Sequence, residues 1–207
     1  MGFEAILHRV GEYYSAKIHE YGAIPRGVDW NSAESQMMRF EQLAKVFGNS
    51  ADFSVNDYGC GYGALIEYLA MRGFNFTYSG FDVSTAMIDK ARELHQDFER
   101  CNFFADRRLL SLADYTVASG VFNVKLQASD EEWYEYMRCS LDELAALSAK
   151  GFGFNALSLY SDVDRRRADL HYADPLFWFD YCKREFSRFV ALLHDYPLYE
   201  FTILVRY

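Results

Sequence analysis

The run Asp57-Tyr-Gly-Cys-Gly-Tyr-Gly63 constrains this chain most. A short β-like stretch, 53–57, leads into it, and a helix is expected at 64–71 just after it. Glycines there permit a tight strand-to-helix turn and let a ligand approach the backbone. The start of the following helix offers free N–H groups to polar or anionic ligand atoms. Around this loop the pattern alternates. Strands are expected at 53–57, 76–83, 101–105, 115–119 and 151–157, with helices at 64–71, 84–95 and 130–149. Such β-α-β-α alternation, with short apolar strands, implies a mainly parallel sheet covered by helices.

The C-terminus breaks the rhythm. A helix is expected at 175–184, then strands at 189–193 and 201–205 with only 194–200 between them. A parallel crossover takes about a dozen residues or more, so these two strands must be antiparallel neighbours. The N-terminal part reads as helical. Ile6, Val10, Tyr13, Tyr14 and Ile18 fall at helical spacing, Gly22-Ala-Ile-Pro-Arg-Gly27 is a turn, and a second helix starts at Asn31 or Ser32. The 207 residues fit one domain, with 1–48 as a helical lid or cap and 49–207 as an α/β core.

Composition excludes several roles. The net charge is −9, from 21 Lys plus Arg against 30 Asp plus Glu, which suits phosphate backbones poorly, so no nucleic-acid partner is expected. No apolar run reaches the roughly eighteen residues of a membrane span. Cys60, Cys101, Cys139 and Cys182 form no C-x-x-C pair, so free thiols in a reducing, cytoplasmic setting are expected. No His/Cys pair has ligand spacing, and no metal is expected. The aromatic share of 18% suits a ring-lined pocket or a dimer surface, leaving monomer and homodimer both open.

For the glycine loop, three readings are weighed. Gly59, Gly61 and Ala64 satisfy the looser G-x-G-x-x-A dinucleotide pattern, and a purely structural turn is the bland alternative. Three features favour S-adenosylmethionine over NAD. Asp57 stands just before the first glycine, where it can meet a cationic amino-acid group. Asp106, ending the third strand, is placed to accept from an adenine amino group. The antiparallel sheet end is unlike the second half of a dinucleotide domain.

These residues resemble the class I S-adenosylmethionine-dependent methyltransferases over about residues 30–207. Val55-Asn-Asp-Tyr-Gly-Cys-Gly-Tyr-Gly63 is similar to the family's first motif, Gly80-Phe-Asp82-Val-Ser84-x-x-Met87 to its ribose-binding motif, and Phe104-Ala-Asp106 to a third. The resemblance implies a three-layer Rossmann-like fold, a seven-stranded sheet with the last strand antiparallel, and S-adenosylhomocysteine as product. It implies that Tyr58, Gly59, Cys60, Gly61 and Gly63 cradle the methionine and ribose part, with Asp57 near the amine. Asp82 and Ser84 belong to the ribose motif, and Val83 and Met87 pack on adenine. Asp106 and the Arg107 N–H contact adenine, and Ser119 and Gly120 line the methionine side. Gln36 and Arg39 reach the methionine carboxylate, although Arg39 could equally form an ion pair.

The acceptor side is less marked. Ser119-Gly-Val-Phe-Asn123 lacks the Asn/Asp-Pro-Pro-aromatic tetrad of base-amine methylators, which argues against a nucleobase acceptor. Asn123 is placed either to orient a substrate or to cap a loop. His171 is the candidate general base, with Tyr172 shaping the pocket, and Tyr14, Lys17, His19, Tyr160 and Arg166 are candidate acceptor contacts. Arg165, Arg166 and Arg167 form the densest basic cluster, able to bind an anionic small molecule or simply to be solvated beside Asp162, Asp164 and Asp169. The segments at 119–125, 151–155 and 172–175 look like those of a bacterial subgroup tied to surface-polysaccharide or small-metabolite pathways. That likeness implies O-methylation of a sugar- or phosphate-type metabolite. A small-amine N-methyltransferase and an inactive partner subunit are the alternatives.

Overall fold

The described residues, 2–207 of a computed structural model, contain seven strands. They are β1 (Asp52–Tyr58), β2 (Asn75–Phe81), β3 (Cys101–Phe104), β4 (Ala113–Ala118), β5 (Ser148–Leu157), β6 (Phe189–Leu193) and β7 (Glu200–Arg206). Six α-helices accompany them: α1 (Phe3–Tyr21), α2 (Ala33–Ala44), α3 (Ala64–Met71), α4 (Thr85–Leu94), α5 (Asp130–Ala146) and α6 (Pro175–Glu185). The sheet order is β3-β2-β1-β4-β5-β7-β6. Strands β1 to β5 pair in parallel, and β7 inserts antiparallel between β5 and β6. This is the expected Rossmann-like architecture, including the antiparallel pairing forced by the short last link.

Local chemistry sets the boundaries. Ser32 caps α2 by accepting from the Ser35 N–H, and Ser84 caps α4 by accepting from the Met87 N–H. Ser129 and Glu132 form a reciprocal capping box on α5. The largest departures from the sequence reading lie at the junction of α5 and β5. Helix α5 stops at Ala146, and β5 begins at Ser148 rather than 151. Ser148 Oγ donates to the Leu144 carbonyl at 2.7 Å, satisfying the helix end and freeing the chain to enter the sheet.

Helices cover both faces. One apolar layer joins α5 and α6 to the sheet through Trp133, Trp178, Phe154 and Phe201. The other joins α2, α3 and α4 through Leu43, Ile66, Leu69 and Ile88. Helix α1 contributes Ile6, Leu7 and Val10 to the first layer and Ile18 to the second, so it bridges the two. Burying each such side chain contributes roughly 1.5–3 kcal/mol, enough to hold α1 across the strand ends. Helices α1 and α2 thus pack directly on the α/β core.

Candidate active site

The sheet winds outward from β1 through β2 to β3, then returns to the other side of β1 with β4. A reversal of this kind opens a crevice at the carboxyl ends of the central strands. A concave cavity, walled by the ends of three strands and by the N-terminal helices, lies there. The end of β1 and the loop after it supply Asp57, Tyr58, Gly59, Cys60 and Gly61, the link from β2 into α4 supplies Asp82, Val83 and Met87, and the β4 end supplies Ser119 and Gly120. Gln36 and Tyr14 complete the wall from α2 and α1.

Hydrogen bonds tie these pieces together. Asp82 accepts from the Gly61 N–H and the Ser84 N–H, both at 2.9 Å, which draws the glycine loop onto the end of β2. Tyr78 Oη donates to Asp57 Oδ2 at 2.8 Å. Tyr62 Oη donates to Gln36 at 3.2 Å. Gly63, in the left-handed conformation, begins α3 behind the loop without lining the cavity.

The lid comes close. Gly61 has φ +54°, and a Cβ there would sit 2.9 Å from Val28 Cγ1. Gly120 has φ +76°, and a Cβ there would sit 2.4 Å from the Trp30 ring. Both positions therefore need glycine twice over, for backbone conformation and for space.

The electrostatics are distinctive. Asp57 and Asp82 are buried at 3% and 7% exposure and neither forms an ion pair among the described residues. Burial pushes Asp57 up to about 7, helped by the neighbouring Asp82 charge and opposed by Tyr78. Burial likewise pushes Asp82 up to about 6, opposed by its two backbone donors. Two strained carboxylates in one apolar cavity form a site for a ligand with positive charge and hydroxyl donors. Cys60 is buried beside them, its thiol pushed well up by burial, so it packs and does not react.

A second cavity, about 770 Å³ with its mouth, shares Tyr14, Val28 and Trp30 with the first. Asp29, Arg39, Asn123, Arg165, Arg167, Tyr172 and Glu200 also line it. Tyr13 and Lys17 face Asp29 instead, through a 2.9 Å hydrogen bond and a 3.2 Å ion pair. Thus Tyr14 alone of the adjacent tyrosines reaches the cavities.

Several expectations are corrected. Arg39 does not line the first cavity; its guanidinium is held bidentate by Glu200 and lies 3.7 Å from the Trp30 ring centre. Asp106 is gripped by its neighbour Arg108, which pulls its carboxyl down to about 2, and Arg107 pairs with Glu4 and Glu143. Neither lines the first cavity. His171 lines neither cavity. Its N–H donates to the Asn123 carbonyl, and its ring turns toward Trp133 and Asp130. Burial lowers its pKa to about 4, so it is a packed neutral ring rather than a base at the acceptor. Lys17 is committed to Asp29, and His19, Tyr160 and Arg166 are exposed outside both cavities. Arg166 packs over Tyr172 instead, at 5.3 Å.

Sequence reasoning missed Trp30, Val28 and Glu200. A lone tryptophan in a connecting turn, and an acid opening an otherwise apolar strand, are the signals that mark such positions. Asn123 accepts from the Leu157 N–H at 3.0 Å while its Nδ2 has no partner, and Arg39 Nη1 has none either. An unpaired buried donor costs roughly 1–3 kcal/mol. Among the described residues no cluster of His, Cys, Asp or Glu could hold a metal, and no helix is long and apolar enough to cross a membrane.

This sheet topology, with a glycine loop and two acidic strand ends at its switch point, is a Rossmann-like fold with a ligand site at its strand ends. Residues 55–143 match the family model described as a methyltransferase domain. A Mycobacterium tuberculosis protein, Rv1506c, carried under a provisional methyltransferase name, is 53% identical over 159 residues, covering 76% of this chain and 96% of the relative. The chain belongs to the methyltransferase family. Solved structures share the fold at low identity. The N-methyltransferase NodS of Bradyrhizobium japonicum WM9, in complex with S-adenosylhomocysteine, superposes with TM-score 0.67 at 18% identity over 95% of this chain and 97% of that one. The complex of DhpI with SAM and HEP gives 0.66 at 12% identity over 98% of each chain. Magnesium protoporphyrin IX methyltransferase of Synechocystis PCC 6803 gives 0.64 at 15% over 84% of each.

Proposed function

We propose that this chain transfers a methyl group from S-adenosylmethionine to a small-molecule acceptor, an oxygen of a sugar- or phosphate-type metabolite in a bacterial glycan pathway. One observation carries the cofactor reading: Asp57 and Asp82 are buried, without ion-pair partners, on either side of a glycine loop. When bound, the cofactor supplies an electrophilic methyl on a sulfonium sulfur, and the protein supplies alignment. Asp57 attracts the cationic end, Asp82 accepts the ribose hydroxyls on its remaining lone pairs, and Val83 and Met87 pack the adenine. Trp30 and Val28 exclude water from the loop.

The second cavity suits the acceptor because it shares Tyr14, Val28 and Trp30 with the first, and Trp30 lies against Gly120 of the first. Its carboxylates are engaged, Asp29 by Lys17 and Arg167 and Glu200 by Arg39, so no free base is available. That favours a nucleophile which is already ionised or readily so. Transfer to an amine nitrogen is the second reading, favoured by the likeness to the N-methyltransferase NodS.

The test is a screen for S-adenosylhomocysteine release with phosphorylated sugars, sugar acids, neutral sugars and small amines. Turnover with an oxygen acceptor supports the first reading. Turnover with amines alone replaces it by the second.

A further inference from the structure

We propose that the second cavity recognises an oxyanion, a carboxylate or phosphate carried by the acceptor, through Asn123, Arg39 and Arg165. The inference rests on the methyltransferase reading of the adjoining cavity and names the class of acceptor. Asn123 and Arg39 both line this cavity and both hold a buried donor with nothing to donate to, Nδ2 and Nη1. Each has its other polar atoms fixed. Asn123 Oδ1 accepts from Leu157 N–H, and Arg39 Nε and Nη2 are taken by Glu200. The unpaired atoms are thus held in place by partners that cannot themselves satisfy them.

Two unpaired donors in one cavity wall call for an acceptor group with several lone pairs, which a carboxylate or phosphate has. Arg165 stands at the same cavity with no hydrogen bond or ion pair on its guanidinium among the described residues, while Arg167 is spent on Asp29 and Asp169. The acidic residues of the wall do not repel the ligand strongly, since Glu200 is neutralised by Arg39 and Asp29 by Lys17 and Arg167. Trp30 lies against Arg39 and lines both cavities, so an oxyanion settling beside Nη1 also sets the position of that wall.

The test is calorimetric titration with glucuronate, glucose 6-phosphate and glucose, with and without S-adenosylhomocysteine. Asn123→Asp keeps the bond to Leu157 and replaces only the free donor by a like charge. Arg165→Gln changes an exposed side chain with no partner to lose. At least one of the two anions should bind and glucose should not, with Asn123→Asp weakening binding roughly tenfold or more and Arg165→Gln several-fold. Which anion binds distinguishes carboxylate from phosphate. Equal binding of glucose, failure of both anions, or unchanged affinity in both variants overturns the proposal. S-adenosylhomocysteine affinity should be unchanged in the two variants; its absence in the wild type contradicts the cofactor reading, while the anion titrations without it still decide this one.

Discussion

Arg39 on α2 and Glu200 on β7 form a bidentate ion pair across 161 residues of sequence, at 2.7–3.0 Å, with side-chain exposures of 8% and 1%. The pair clamps the lid helix to the last antiparallel strand. Breaking one side strands a buried charge, which costs roughly 3–5 kcal/mol, whereas replacing both by apolar residues is often neutral. Arg39→Met should therefore lower stability by about that amount, and Arg39→Met with Glu200→Leu should recover most of it. Urea denaturation of the three proteins checks this. S-adenosylhomocysteine affinity should survive in the double variant; its loss would restore Arg39 as a cofactor ligand.

Gly120 lies under the Trp30 ring with its backbone at φ +76°. Gly120→Ala should displace Trp30 and weaken S-adenosylhomocysteine binding. Trp133 and Trp178 are fully buried, so a change in tryptophan fluorescence on substitution reports Trp30. Unchanged fluorescence and affinity would mean that the lid does not rest on this glycine.

The raised carboxyls predict a pH dependence. Asp57 attracts the cationic end and Asp82 accepts the ribose hydroxyls most strongly when ionised, and they titrate at about 7 and about 6. S-adenosylmethionine affinity should fall as pH drops from 7.5 to 5.5, by up to roughly tenfold per unit for each group. Asp57→Asn should flatten the upper part of that profile and leave the lower part. For stability of the unliganded fold the sign is opposite. The folded state binds protons that the unfolded state has lost above its ordinary value of 3.8, so these two groups cost stability as pH rises toward 7.

His171 acts the other way. Its folded pKa of about 4 lies below the ordinary 6.5 because of burial. The unfolded state binds the extra proton, so its contribution is lost as pH falls from 6.5 to 4, at most about 3 kcal/mol. His171→Phe should remove that acid sensitivity relative to wild type in melts at pH 7 and 5. Turnover, once an acceptor is known, should persist; a large kcat loss with stability intact would return His171 to the chemistry.

What could be read from sequence was what depends on neighbours along the chain. Ser32 as a cap, the glycine turn after β1 and the antiparallel β6–β7 pairing all follow from local spacing and link length. The cavity residues Asp57, Gly59 and Gly61 lie on that glycine turn, and Asp82, Val83 and Met87 lie where β2 passes into α4, so local spacing makes them legible too. Arg39, Asp106 and His171 were misplaced because each side chain is claimed by something local spacing does not weigh. For Arg39 it is Glu200, far along the chain. For Asp106 it is the adjacent Arg108 reaching back. For His171 it is an aromatic wall on α5. Trp30 was invisible because a turn residue shows nothing of what it covers.

The most direct measurement is a parallel calorimetric and thermal-shift titration with S-adenosylmethionine, S-adenosylhomocysteine and NAD, using Asp82→Ala as control. The account predicts binding of the first two, a stabilisation of ~2.7 kcal/mol at about 100 times the dissociation constant, no response to NAD, and strong loss in Asp82→Ala. Binding of NAD instead, or no binding of either methyl-cycle ligand, would contradict it.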